Sequence, residues 1–68
     1  MSGNIQSIQR AIAVLEYITF HAGAGISELS RELNLNKSTV FGIVKTLEGR
    51  GYLFKNEPTD SYQVTYRL

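Results

Sequence analysis

Between Ile26 and Val40 the chain carries two short helical patterns separated by a tight turn, and no other stretch constrains the fold as strongly. Ser27 is placed to cap a helix over Glu28 to Leu33, with Leu29 and Leu33 on its buried side. Asn34 falls where the turn requires a positive φ, a conformation that Asn tolerates better than most residues. Leu35 then turns inward as a plug. Asn36 is placed as the N-cap of a following helix that begins at Lys37, its side-chain oxygen accepting from the amides of Ser38 or Thr39. Two capped helices joined so closely form a helix-turn-helix.

Stepping about 100° per residue from Asn36 divides the second helix into two faces. Val40, Ile43, Val44 and Leu47 gather on one side; Ser38, Gly42, Lys45 and Gly49 lie opposite, flanked by Phe41 and Thr46. A helix that needs only solubility carries Glu and Lys pairs on its outer face. Here the outer stripe has little bulk, although each glycine costs roughly 1 kcal/mol relative to Ala. Small and hydroxyl residues suit close approach to a surface, and Lys37 and Lys45 supply positive charge. The expected surface is the major groove of duplex DNA; the alternative is a merely solvated helix. Ser38 and Thr39, in the first turn, either bind a phosphate at the helix start or only cap it. Phe41 either presses on a thymine methyl or sugar, or shields the edge of the hairpin described next.

After Gly51, a C′ residue that closes the helix, the period changes from 3.6 to 2. Tyr52 to Lys55 and Tyr62 to Tyr66 are rich in aromatic and β-branched residues, and Asn56 to Ser61 between them is dense in turn formers. These segments predict a β-hairpin whose Leu53, Tyr62 and Val64 face inward. Three helices followed by a hairpin make a mainly α fold with a small β-hairpin, the winged helix-turn-helix: recognition helix over 37–49, wing over 52–66. The hairpin either covers the core alone or also reaches phosphate or the minor groove, through Lys55, Asn56 and Thr59. The expected DNA contacts are therefore Lys37, Ser38, Thr39, Phe41, Gly42, Lys45 and Thr46 on the helix and Lys55, Asn56 and Thr59 on the wing. Arg10 and Gln9 are weaker candidates for nearby phosphates.

The first helix is expected from Gln6 to Phe20, with Ile8, Ala11, Ile12, Leu15, Ile18 and Thr19 at core spacing. A second apolar group on the same helix, Ala13, Val14, Tyr17 and Phe20, is more than one small core can cover. It implies either a two-fold related copy, which would set two recognition helices roughly 34 Å apart, or packing under the hairpin or against a further domain. Ile26 is expected to form a one- or two-residue strand before the second helix.

Composition bounds the rest. Sixty-eight residues make a single domain with a marginal core, and 43% hydrophobic content excludes a disordered tail. With no cysteine there is no disulfide or thiolate metal site, and the chain fits a reducing compartment. No apolar run approaches the ~18 residues of a membrane span, and the start does not read as a signal peptide, so a cytoplasmic location and no membrane partner are expected. The net charge of +1 is low for a nucleic-acid binder; one copy should bind weakly and gain from a second. His21 is the sole histidine, placed at a helix end, and the carboxylates are scattered, so neither an enzyme nor a metal or cofactor site is expected. A protein-interaction winged helix without DNA binding is the rival reading, and it would present an apolar or acidic recognition face, which only Phe41 suggests.

Ser7-Ile8-Gln9-Arg10-Ala11, Ile26-Ser27-Glu28-Leu29, Asn36-Lys37-Ser38-Thr39-Val40, Lys45-Thr46-Leu47-Glu48 and Arg50-Gly51-Tyr52-Leu53 occur in this order across nearly the whole chain. The set resembles the N-terminal DNA-binding domain of the IclR family of bacterial and archaeal transcriptional regulators. The resemblance implies a double-stranded DNA operator as partner and assembly as a homodimer or tetramer in a full-length regulator. It also implies a small-molecule effector bound by a C-terminal domain beyond residues 1–68. Three positions depart from the family pattern. Gly42 stands where Arg is frequent, Asn36 where Pro is common, and Ser61 where the wing usually has Gly.

Overall fold

The computed structural model describes residues 5–65. Helices α1 (Gln6–His21), α2 (Ile26–Leu33) and α3 (Lys37–Gly49) are followed by strands β1 (Leu53–Asn56) and β2 (Ser61–Val64). Tyr66, expected at the end of the wing, lies outside the described residues.

Helices α2 and α3 each end on a backbone signal that the sequence supplies, whereas α1 ends on Ala22 at φ 56°. Asn34 takes φ 56°, and its amide bonds the Ser30 carbonyl. The turn is then stitched from both sides by Ser30 and Leu35. The Leu35 amide donates to the Ser30 carbonyl at 3.0 Å, and the Ser30 hydroxyl donates to the Leu35 carbonyl. Leu35 packs against the core as expected. At the end of α3 the Gly51 amide bonds the Glu48 carbonyl at 3.0 Å and the Tyr52 amide bonds the Leu47 carbonyl at 2.9 Å. That pair is a Schellman motif, and it requires the left-handed φ of 88° that Gly51 adopts.

Helix α2 starts earlier than the sequence implies. Its N-cap is Gly25, and Ser27 lies inside the first turn rather than at the cap. The isolated bridge before it is made by Ala24, not Ile26. The Ala24 amide donates to the Tyr62 carbonyl at 3.1 Å and the Tyr62 amide to the Ala24 carbonyl at 2.8 Å. Asn36 does occupy the N-cap of α3, but its side chain makes no capping hydrogen bond. The cap position is therefore held by an extended backbone alone, at φ −64° and ψ 146°.

The hairpin is antiparallel, with Leu53 opposite Val64, Phe54 opposite Gln63, Lys55 opposite Tyr62 and Asn56 opposite Ser61. Strand β1 sits one residue later than the aromatic pattern suggests, which leaves Tyr52 outside it, and β2 begins one residue earlier, at Ser61. Alternation places Leu53, Tyr62 and Val64 inward as expected. The loop over Glu57 to Asp60 closes with the Asp60 amide on the Asn56 carbonyl at 2.8 Å, and Asp60 itself adopts φ 56°.

Every element feeds one core: Val14 and Ile18 from α1, Ala24 from the loop, Leu29 from α2, Val40 and Val44 from α3, Leu53 and Tyr62 from the hairpin. Each fully buried aliphatic side chain contributes about 1.5–3 kcal/mol through burial. This corrects part of the expected face of α1: Ile18 is buried and Leu15 packs against the core as expected, but the stripe does not extend to Ile8 and Ile12. Val14 is completely buried and Tyr17 packs beside the core, whereas Ile8 and Ile12 are 54% and 49% exposed. The group Ala13, Val14, Tyr17 and Phe20 is thus not a free surface: its centre lies in the core that the hairpin completes, and Phe20 alone is largely exposed, at 86%. The Tyr17 hydroxyl also donates to Glu28 Oε2 at 2.7 Å and so ties α1 to α2.

Candidate nucleic-acid interface

Burial of Val40 and Val44, with Ile43 and Leu47 packed beside them, orients α3. Ser38, Gly42, Lys45 and Gly49 consequently point away from the core and are exposed, as are Lys37, Phe41 and Thr46; Thr39 is half-buried. A Cβ added at Gly42 or Gly49 would meet nothing within 4 Å, so neither glycine is demanded by packing inside the fold. The Thr46 hydroxyl donates to the Gly42 carbonyl at 2.8 Å and keeps acceptor capacity for an outside donor.

The two lysines expected to meet DNA at the helix middle and the wing are both ion-paired. Lys45 Nζ is 2.9 Å from Glu48 Oε1 and lies 5.8 Å from the centre of the Phe41 ring, a cation–π arrangement. Lys55 Nζ is 2.9 Å from Asp60 Oδ1 across the wing loop. The hydrogen bond and charge of Glu48 hold the Lys45 ammonium above its ordinary pKa, and Asp60 does the same to Lys55. Both lysines are cations at any physiological pH. Lys37, at the start of α3, makes no ion pair among the described residues.

The wing brings two of its three expected residues, Lys55 and Thr59, to a cleft shared with Phe41 of α3; Asn56 does not line it. A cleft of about 510 Å³ is lined by the start of α2, by Phe41, and by Lys55, Thr59 and Asp60 of the wing. One polar furrow thus joins α3 to the hairpin tip. The Thr59 hydroxyl is 2.8 Å from the Ser61 hydroxyl, and Asn56 supplies the carbonyl that closes the loop. On the far side of α3, Ser38, Thr39, Gly42 and Thr46 border a second groove with Ser7 and Ala11 of α1. Phe41, which lines the first cleft, is 53% exposed and in cation–π range of the Lys45 ammonium. Sequence reasoning missed Ser27, Glu48 and Asp60 as neighbours of this surface. The Lys45 and Glu48 spacing of three residues on a helix was the available signal for one of them.

Among the described residues no helix is long and apolar enough to cross a membrane, and no group of three or more His, Cys, Asp or Glu gathers that could hold a metal ion.

A helix-turn-helix whose third helix turns a bulk-free, basic stripe outward, with a hairpin anchored on the core beside it, defines a winged helix-turn-helix DNA-binding domain. Within that class the chain belongs to the IclR family, since the profile of the IclR helix-turn-helix domain matches residues 7–57. It is 35% identical to the glycerol operon regulatory protein of Streptomyces coelicolor, covering 100% of this chain and 27% of that protein. Identity to the HTH-type transcriptional regulator XynR of Escherichia coli is 32%, over 94% of this chain and 26% of that one. The crystal structure of an IclR transcriptional regulator from Alicyclobacillus acidocaldarius superposes with a TM-score of 0.84 over 91% of this chain and 26% of that chain; at 22% identity it speaks for the fold. The chain spans about a quarter of the length of the relatives it matches.

Proposed function

We propose that this domain reads a double-stranded DNA operator for a transcriptional regulator, with α3 in the major groove and the wing on a neighbouring phosphate or minor groove. The observation that carries the reading is the outward stripe of α3. Ser38, Gly42, Lys45 and Thr46 are exposed and serve no packing purpose in the fold, while the opposite face of the same helix is core. Lys37, Ser38 and Thr39 engage phosphate at the helix start; Phe41, Gly42 and Thr46 face the groove, and Lys45 beside them meets phosphate or a base edge. Lys55 and Thr59 extend the contact through the furrow that Phe41 and the wing share, and Asn56, next to Lys55 on the wing, adds to it.

The family resemblance supports the further reading of a cytoplasmic regulator in which this domain is joined to an effector-binding domain and pairs as a dimer or tetramer; the chain spans about a quarter of the length of its relatives. Pairing compensates for the weak charge of one copy, since linked sites multiply their effective affinities. The experiment is selection of bound duplexes from random sequence, followed by titration of the selected duplex with the Lys37→Ala, Lys45→Ala double variant. Affinity for the selected duplex should fall, and the log–log salt slope should drop by about 0.9 for each phosphate that a lysine no longer neutralises. Unchanged affinity in the double variant refutes the assignment of α3.

A further inference from the structure

We propose that Glu48 and Asp60 are intramolecular competitors of DNA phosphate, which hold Lys45 and Lys55 ion-paired in the free domain and keep a single copy's affinity low. The proposal rests on the DNA-binding reading and adds two residues and a mechanism to it.

The geometry is the same at two unrelated places. On α3, Lys45 and Glu48 are three residues apart, and the pair closes at 2.9 Å on the flank of the outward stripe. On the wing, Lys55 lies in β1 and Asp60 in the loop, and their pair also closes at 2.9 Å. The second pair depends on backbone shape. Asp60 adopts the left-handed φ of 56°, and its amide is fixed to the Asn56 carbonyl, so its carboxylate is brought back over the hairpin toward Lys55.

Each carboxylate lies 2.9 Å from its own lysine's Nζ, so a phosphate reaching that ammonium also approaches the carboxylate. DNA must therefore displace a carboxylate from each lysine and then tolerate that negative charge nearby. Exposed ion pairs are weak individually, but here they subtract from a face with few cations. Lys37 is the internal contrast, because no carboxylate of the described residues pairs with it. The net charge of +1 acquires a specific meaning: affinity for arbitrary DNA is restrained at the contact points themselves.

Conservative neutral replacements test this without disturbing the fold. Glu48→Gln keeps shape and helix propensity, and Asp60→Asn suits a positive φ at least as well as Asp. Wild type, Glu48→Gln, Asp60→Asn, Lys45→Ala and the Glu48→Gln, Lys45→Ala double variant are titrated by fluorescence anisotropy. The probe is a fluorescein-labelled mixed-sequence duplex of about 21 base pairs, two helical turns. Titrations run over a series of salt concentrations, with circular dichroism confirming equal helix content.

Each single carboxylate replacement should tighten binding roughly two- to fivefold at low salt, the range of one exposed ion pair, and the gain should shrink as salt rises. Lys45→Ala should weaken binding more in the Glu48→Gln background than in wild type, because only there is the lysine free to act fully. Equal losses in the two backgrounds, or no gain from either carboxylate replacement while wild type binds, overturns the competition and leaves the DNA-binding reading intact. Failure of every protein, wild type included, to bind the duplex overturns both.

Discussion

Replacing Val14 by Ala tests which side of α1 carries the fold. Val14 is wholly inaccessible at the centre of the shared core, whereas Ile12, two residues earlier, is 49% exposed. Removing two buried methyl groups forfeits about 0.8 kcal/mol each, or about 1.6 kcal/mol of transfer energy. A residual void of about 40 Å³ adds about 1 kcal/mol at ~24 cal/mol per Å³. The total, about 2.5 kcal/mol, is large against the roughly 3–10 kcal/mol expected for a domain of this size. It corresponds to a fall in Tm of about 10–20 °C. Ile12→Ala removes more carbon atoms but should stay within about 0.5 kcal/mol, because its side chain already meets solvent and Ala is the better helix former. Urea unfolding followed by circular dichroism, at two protein concentrations to expose any self-association, measures both. A larger loss for Ile12→Ala than for Val14→Ala at the lower concentration refutes the orientation of α1 and the core built upon it.

Gly51→Ala should cost about 1–2 kcal/mol, since Ala must then adopt the left-handed conformation at φ 88°, whereas Gly49→Ala, inside the helix with open space around it, should stabilise by up to about 1 kcal/mol. Thermal melts of the two variants should shift in opposite directions, and a shared direction contradicts the Schellman ending of α3. The Tyr17 hydroxyl, bonded to Glu28 and close to its charge, has its pKa pushed up to about 12. A folded-state pKa above the unfolded one stabilises fully below about pH 10, and the contribution is lost as pH rises through about 10 to 12. Tyr17→Phe should remove that part of the alkaline loss of stability, measured by urea midpoints between pH 8 and 12 on the two proteins; identical pH profiles contradict the bond.

What the chain determines alone is what neighbouring residues decide among themselves. The turn after α2 is legible because Asn34 tolerates the φ of 56° and stands between Leu33 and Leu35, both of which pack against the core. The two faces of α3 are legible because four apolar residues share one side and leave the other nearly bare. Its end is legible in Gly51. Long-range packing decided the rest. Apolar residues surround most of α1, so periodicity found Ile18 but could not choose between Ile8 and Ile12 on one side of it and Val14 on the other; the choice fell to the core that α3 and the hairpin complete around Val14. The start of α2 was set by the bridge of Ala24 to Tyr62, which holds the chain extended up to Gly25 and leaves Ser27 inside the helix. The pairing of Lys55 with Asp60 exists only once the hairpin has closed with Asp60 left-handed. Local backbone preferences and side-chain period act over one or two turns of chain. The interactions that pick a face or bring a carboxylate to a lysine come from residues that only folding makes neighbours.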